Sequence, residues 1–537
     1  MTLGYSGKLL RVNLENGTIS LDQPDPPYYK HYLGGRGIIM TTLLSEIPAN
    51  TDPLGPGNKL IFALGLLTGH KIIGSGRCSV GAKSPLTGAC GEAEAGGMWG
   101  VELRRSGYDA IIIEGKSPDP VYLWIHNDRV EIRDARPIWG SEIGDAMAWF
   151  ENDIGQERYR TALIGPGGEN LVHFANIIAD GSHAFGRCGL GAVMGSKNLK
   201  GVVVKGSQRP TAADNEQILT LNRMMKSRYK STPFVPYGTG AAVDAFEAVG
   251  NLPVRNYSGG RFPSVEKISA VTLMEKYGVA MEGCFNCPIR CKKKINITDA
   301  PWPIETIYGG PEYETLASFG SNLLIDDLPA ICKAHEICNR FGLDTISTGA
   351  TVAFAMECFE NGLLTPEDTG GLELNFGNAE AMLTLIEKIA HRRGLGDLLA
   401  KGSKKAAEII GQNSINYAMQ TKGLEIPYHE PRLNQGLSIH YSIHGTGADH
   451  VSGMIDNVLV GQLENWDRID QAVALPPTEL SSRKTRMEYE LGLYRGLFNY
   501  LGVCAFMPWN ITDLRTAVEA VAGWPVTSWK LMKAVKR

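Results

Sequence analysis

Up to about residue 210 the apolar positions come in short runs cut by Gly, Pro and Asn turns. Lys8–Leu14, Lys59–Leu64, Ala110–Glu114, Val121–His126, Arg160–Ile164 and Gly201–Lys205 read as strands, and their spacing predicts antiparallel sheets with short intervening helices. After Gly206-Ser207-Gln208-Arg209-Pro210 a helical period takes over. Leu328, Ile331, Cys332, His335, Cys338 and Phe341 share one face of a helix that Asp326 or Asp327 can cap. Ile346–Leu364 and Ala379–Arg393 continue the pattern, and Gly394 and Gly396 interrupt it. Leu424–Gly453 reads as loop-rich, ahead of a last helical stretch from about Pro477. The expected architecture is therefore α+β: a β-rich unit over 1–210, then two mainly α-helical units over 211–417 and 418–537.

Composition narrows the function classes. The chain has 537 residues, 43% of them hydrophobic and 20% charged, with a net charge of −4. That balance belongs to a globular protein and disfavours nucleic acid and anionic membranes as partners. No apolar run is long enough to span a bilayer, and Met1–Gly17 has no apolar leader-like stretch. Ten cysteines without a leader point to a reducing, cytoplasmic setting and to metal-bound or buried thiols.

The sharpest chemistry lies in Gly283-Cys284-Phe285-Asn286-Cys287-Pro288-Ile289-Arg290-Cys291. Three thiolates spaced this way converge on one centre and select zinc or iron–sulfur. Structural zinc usually takes a second ligand pair, which the sequence lacks. A 4Fe–4S cluster needs a fourth ligand from elsewhere, and Cys504 after a helix is the candidate. Cys332, Cys338 and Cys358 lie on apolar helix faces, where cysteine serves as a small hydrophobe. Glycine loops with arginine or acid, Gly74-Ser75-Gly76-Arg77, Glu94-Ala95-Gly96-Gly97 and Gly186-Arg187-Cys188-Gly189, can form anion nests or plain turns. Gly195-Ser196-Lys197 reverses the order of a phosphate-binding P-loop, and no dinucleotide fingerprint stands out.

Together these residues resemble the tungsten-containing aldehyde ferredoxin oxidoreductase family. The likeness runs through Arg11-Val12-Asn13-Leu14, Gly34-Gly35-Arg36-Gly37, Lys83-Ser84-Pro85-Leu86-Thr87-Gly88, Gly107-Tyr108-Asp109-Ala110, Gly189 to Lys200, Gly310-Pro311-Glu312-Tyr313-Glu314 and Gly342-Leu343-Asp344-Thr345-Ile346-Ser347. The resemblance implies a β-rich base for a tungsten (or molybdenum) bis-pyranopterin dithiolene whose phosphates share a magnesium ion. It also implies a 4Fe–4S cluster on Cys284, Cys287, Cys291 and Cys504. Pterin contacts carry over to Arg77, Gly96, Ala184, Gly186, Arg187, Asn339, Leu343, Asp344, Asn499 and Val503. The family's Asp-x-x-Gly-Leu-Asp and Asp-x-x-Gly-Leu-Cys repeats begin here with Asn339 and Asn499, and Glu94 stands where an asparagine is common. Lys333 replaces a metal-binding glutamate of some members, so a homo-oligomer is expected to lack their shared intersubunit metal.

The implied catalytic pair is Glu314, as the base for water, and His450, as the polariser of the carbonyl; burial is expected to raise the Glu314 pKa. His444 and Asp449 flank His450 as candidates for tuning it, and His429 and Arg432 read as loop anchors. The implied activity oxidises a small aldehyde to a carboxylic acid and passes electrons to ferredoxin or a small Fe–S subunit. A low-potential aromatic acyl-CoA (benzoyl-CoA type) reductase is the alternative enzyme. A non-enzymatic Fe–S electron-transfer protein is the third reading.

Overall fold

The computed structural model describes residues 3–155, 158–229, 234–298, 301–453, 455–456 and 475–536. Among the described residues, twelve strands precede residue 206 and form two six-stranded sheets. In the first, β1 (Leu9–Asn13), β2 (Ile19–Asp22), β3 (Leu60–Leu64), β4 (Cys78–Lys83), β5 (Cys90–Ala95) and β6 (Ala110–Glu114) take the order β2-β1-β6-β3-β4-β5. In the second, β7 (Val121–His126), β8 (Arg129–Asp134), β9 (Arg160–Leu163), β10 (Ile177–Ala179), β11 (His183–Phe185) and β12 (Leu199–Lys205) take the order β11-β10-β9-β12-β7-β8.

The sheets are mixed rather than antiparallel throughout. β1 pairs parallel with β6, and β7 pairs parallel with β12. Each parallel pair is joined by a long excursion through helices and other strands, as parallel neighbours require. Both faces of the central strands are covered, so β3 is buried at every position. The sheets meet around Trp99, whose indole N–H donates to the Val202 carbonyl at 3.0 Å and whose ring packs on Phe62 and Phe185.

The helical pattern also holds. The helix Leu328–Phe341 is capped by Asp327, which accepts the Ala330 N–H, and the helix Thr345–Glu360 is capped by Asp344. Within the stretch read as loop, Gln435–Ile443 forms a helix that buries Gly436, Leu437, His440 and Tyr441. Its histidine and two serines hide a four-residue apolar period. A hairpin of β13 (Gly278–Glu282) and β14 (Lys292–Ile295) brackets the three-cysteine loop. A final apolar cluster ties Tyr5, Tyr29, Leu66 and Ile72 of the N-terminal part to Leu497, Phe498, Leu501 and Val503 on and just after the helix Ser482–Leu501. Cys287, Cys291 and Cys504 sit on its rim. Among the described residues no helix is long and apolar enough to cross a membrane.

Candidate functional site

The fold brings the four implied cluster ligands together. Cys504 is placed by its N–H, which donates to the Gly74 carbonyl at 2.9 Å, while the Gly74 N–H donates to the Asn286 carbonyl at 3.0 Å. Phe285 N–H donates to the Gly97 carbonyl at 3.2 Å. The two glycine loops thus clamp the cysteine loop by backbone contacts. A Cβ on Gly96 would come within 2.6 Å of Cys284 Sγ, so only glycine fits there. Burial, together with the charges of Cys504 and Cys284, pushes the Cys287 thiol up to about 12. Burial also raises Cys291, helped by Glu312 and by Cys504 and Cys284. Four partly buried thiols that repel one another when ionised fit a multivalent cationic centre.

Arg77 stands between this cage and the first sheet. Its Nε donates to Glu94 Oε2 at 2.5 Å, and the Cys504 and Cys284 charges raise its pKa after Glu94 has offset burial. One residue period along β5, Glu92 pairs with Arg36 at 2.5 Å and accepts from Asn499 Nδ2 at 3.2 Å. Glu92 and Glu94 therefore face the same side of the strand, each with its own arginine. Sequence reasoning gave neither Arg36 nor Glu92 a role; the alternation of Glu92 and Glu94 was the available signal. The substitution at position 499 also acquires a physical reason. The Asn499 amide donates to Glu92, whereas an aspartate would face it with like charge.

The two implied pterin repeats are structural counterparts. Each ends a helix on a left-handed glycine, Gly342 with φ 71° and Gly502 with φ 73°. Asn339 Nδ2 donates to the Tyr308 carbonyl at 2.9 Å, a bond an aspartate could not make. A Cβ on Gly502 would meet Thr68 Oγ1 at 2.1 Å, and one on Gly65 would meet Gly502 N at 2.1 Å. The first sheet and the last long helix touch there through bare backbone. Leu343 and Asp344 follow Gly342, and Val503 follows Gly502.

Ala184 lies on β11, and Gly186 and Arg187 follow it; space around a Gly186 Cβ is open. Arg187 donates to the Ala448 carbonyl at 2.6 Å and the Glu425 carbonyl at 2.5 Å, and stands 3.3 Å from Asp344. It thereby joins the β-rich part, the first repeat and the loop that bears His450.

Glu314, in the first turn of the helix Tyr313–Phe319, forms the centre of a buried triad. His429 Nε2 lies 3.0 Å from its Oε1 and His450 Nε2 lies 3.5 Å from the same atom. The Tyr428 N–H donates to Oε2 at 2.9 Å. The expectation of a raised Glu314 pKa is wrong. Burial does push it up, but His450, His429 and the Tyr428 N–H together hold it down at about 2. Burial pushes His450 down despite Glu314. His429, read as a loop anchor, instead belongs to the triad and stacks on Tyr313 with ring centroids 5.0 Å apart. Arg432 does anchor its loop, donating to Glu430 at 2.7 Å and to the Tyr257 carbonyl at 2.8 Å. Nδ1 of His429 and of His450 is buried with no hydrogen-bond partner. Lys333 donates to the Pro303 carbonyl at 2.8 Å and to Glu336 at 3.0 Å within its own chain.

Four thiols, two arginine–glutamate pairs, two matched helix ends and a carboxylate–imidazole triad are thus gathered on one scaffold, as an oxidoreductase of the implied class would need. Comparison with known proteins agrees. The N-terminal domain model of aldehyde ferredoxin oxidoreductase matches residues 9–206, and the model of its domains 2 and 3 matches residues 218–537. The chain belongs to the aldehyde ferredoxin oxidoreductase family. It is 38% identical over 99% of its length, and 87% of the relative's, to a tungsten-containing aldehyde ferredoxin oxidoreductase of Pyrococcus furiosus. A protein of the same description from Thermococcus kodakarensis is 37% identical with the same coverage. Among solved structures, the active-site complex of benzoyl coenzyme A reductase with 1,5-dienoyl-CoA superposes with a TM-score of 0.85 at 27% identity. That match covers 100% of this chain and 88% of the other.

Proposed function

We propose that this protein oxidises aldehydes to carboxylic acids on a tungsten–pterin centre and releases the electrons through a 4Fe–4S cluster to ferredoxin or a small Fe–S subunit. The observation that carries the reading is Arg187, which connects the implied pterin cradle to the Glu314–His450 loop. The overall change is RCHO + H₂O → RCOOH + 2H⁺ + 2e⁻. The bound tungsten–pterin would accept the two electrons.

The residues supply the proton chemistry. With a depressed pKa, Glu314 is a carboxylate at working pH and a poor proton acceptor. It holds the two imidazoles by their Nε2 atoms and leaves each Nδ1 free. The His450 side chain keeps 20% exposure against 4% for His429, so His450 is the one that meets substrate. His450 Nδ1 then takes the proton of the attacking water, and Glu314 stabilises the imidazolium that forms. This arrangement shifts the base role from Glu314 to His450 and makes His429 a positioning residue.

Arg77, Gly96, Ala184, Gly186 and Arg187 would hold the phosphate ends and their magnesium ion. Asn339, Leu343, Asp344, Asn499 and Val503 would hold the pterins, and Cys284, Cys287, Cys291 and Cys504 the cluster. The buried and unpartnered Glu94 Oε1 and the open space at Gly186 fit such a group. A cavity of about 740 Å³ beside Cys284 and Cys287, where Arg160, Lys226, Arg290 and Lys294 outnumber Asp180 and Glu282 in the lining, suits an acidic electron acceptor.

The likeness to benzoyl coenzyme A reductase favours one second reading, reduction of an aromatic acyl-CoA. Anaerobic assay of the tungsten-loaded protein with an aldehyde panel and with benzoyl-CoA decides between the two. Dye reduction by aldehydes supports the first, and turnover of the thioester alone overturns it.

A further inference from the structure

We propose that His440, His444 and Asp449 form a divalent-metal site of the zinc class, separate from the tungsten and the iron–sulfur cluster, that ties the His450 loop to the helix before it. His440 lies in the helix Gln435–Ile443 and His444 caps its C-terminus, four residues on and on the same face. Their rings stand 4.9 Å apart between centroids, tilted by 34°. The chain then turns through Gly447, at φ 103°, and returns Asp449 to the pair. One ligating atom from each of the three lies within 4.8 Å of the others. Donors on a tetrahedral zinc sit about 3.3–3.5 Å apart, from bonds of about 2.0–2.2 Å, so a closure of roughly 1 Å completes the geometry.

Three further observations point to an ion. His440 is 5% exposed, and its Nε2 is buried with no hydrogen-bond partner. His444 is fixed by Thr446, whose Oγ1 lies 2.7 Å from Nδ1 and whose N–H donates to the same atom at 3.4 Å, leaving Nε2 to face the site. Asp449 accepts the Val451 N–H on Oδ1 and the Ser452 N–H on Oδ2, both at 3.0 Å, which fixes the carboxylate and leaves a lone pair on each oxygen. Arg36, the nearby fixed cation, is already paired with Glu92. Two imidazoles and one carboxylate leave an open position for water.

The site does not depend on the aldehyde reading, since His440, His444 and Asp449 take no step in the proton chemistry proposed for Glu314 and His450. The test is metal analysis of anaerobically purified full-length holoprotein, with Zn²⁺ and Co²⁺ as probes. Wild-type protein should hold one zinc per chain besides its tungsten and cluster iron, and should show Co²⁺ ligand-field bands after exchange. His444→Asn, and His440→Asn with it, should lose the zinc and the Co²⁺ bands with tungsten and iron unchanged. The loss in affinity should exceed the roughly 10–100-fold effect of removing even an outer partner of a metal site. Chelation of the wild type should speed hydrogen exchange across residues 444–453. Should the double variant fail to fold, His444→Asn alone decides, because His444 is partly exposed. Wild type without stoichiometric zinc or Co²⁺ bands, a His444→Asn variant that keeps its zinc, or joint loss of zinc and tungsten each overturns the proposal.

Discussion

Replacing Asn499 by aspartate changes one atom type at the contact between the first sheet and the last long helix. Asn499 Nδ2 lies 3.2 Å from Glu92 Oε1 and 3.3 Å from Oε2, and both residues are buried. Two like charges at that distance repel by about 5 kcal/mol at an effective dielectric constant of about 20. The new carboxyl can escape by taking a proton, which costs about 4 kcal/mol at pH 7 from an ordinary aspartate pKa of about 3.9. The penalty therefore saturates near 4 kcal/mol, and Arg36, 2.5 Å from Glu92, reduces it further. We expect a loss of about 2–4 kcal/mol in urea unfolding followed by circular dichroism at pH 7. Repulsion raises the pKa of the introduced carboxyl in the folded state, so its penalty should shrink as the pH falls towards 4. Adding Glu92→Gln should restore most of the loss, because the repulsion then disappears. Wild-type stability for the single variant, or no rescue by the second change, would refute this account of the asparagine.

Three other consequences are open to direct measurement. Glu314→Gln and His450→Ala should keep tungsten and cluster iron but lower aldehyde-dependent dye reduction by roughly 10²–10⁴; wild-type rates in both metal-replete variants would remove the triad from the chemistry. Gly96→Ala forces a methyl against Cys284 Sγ, 2.6 Å away, and Cys504→Ser removes a ligand, so both should lower cluster iron and its visible absorbance; full iron content in both would contradict the four-cysteine assignment. Burial lowers His70, His173, His335 and His444 to about 4, so the unfolded chain binds more protons than the folded one between about pH 6.5 and 4. Stability should therefore rise with pH across that window, and Glu314, held at about 2, should add a second rise between about 2 and 4.5. A flat thermal midpoint from pH 4.5 to 7 would contradict the buried, neutral state of these histidines.

The strands most visible in the sequence were those buried on both faces, such as Leu60–Leu64 and Ala110–Glu114, whose apolar runs leave little else to read. Strands β4 and β5 escaped notice because small residues (Cys, Ser, Gly, Ala) dominate β4 and Gly, Ala and Glu fill β5, residues that suit close backbone approach and arginine pairing better than strand propensity. Parallel pairing within the sheets was hidden for a different reason: it depends on where a chain returns after a long excursion, which local pattern does not encode. The same distance problem governs the site. Cys284, Cys287 and Cys291 announce themselves by spacing, and Glu314 and His450 by motif. His429 reaches Glu314 from 115 positions along the chain, and Glu92 reaches Asn499 from 407. Burial alone suggested a raised Glu314 pKa; only the placement of two imidazoles against one carboxylate oxygen reversed its sign.

Anaerobic steady-state turnover of the tungsten-loaded protein tests the central claim most directly. With a small aldehyde as donor, the account predicts reduction of ferredoxin in a 2:1 ratio to carboxylic acid formed, as the two-electron stoichiometry demands of a one-electron carrier. A fully loaded protein that ignores every aldehyde, and instead turns over an aromatic acyl-CoA or nothing, would contradict it.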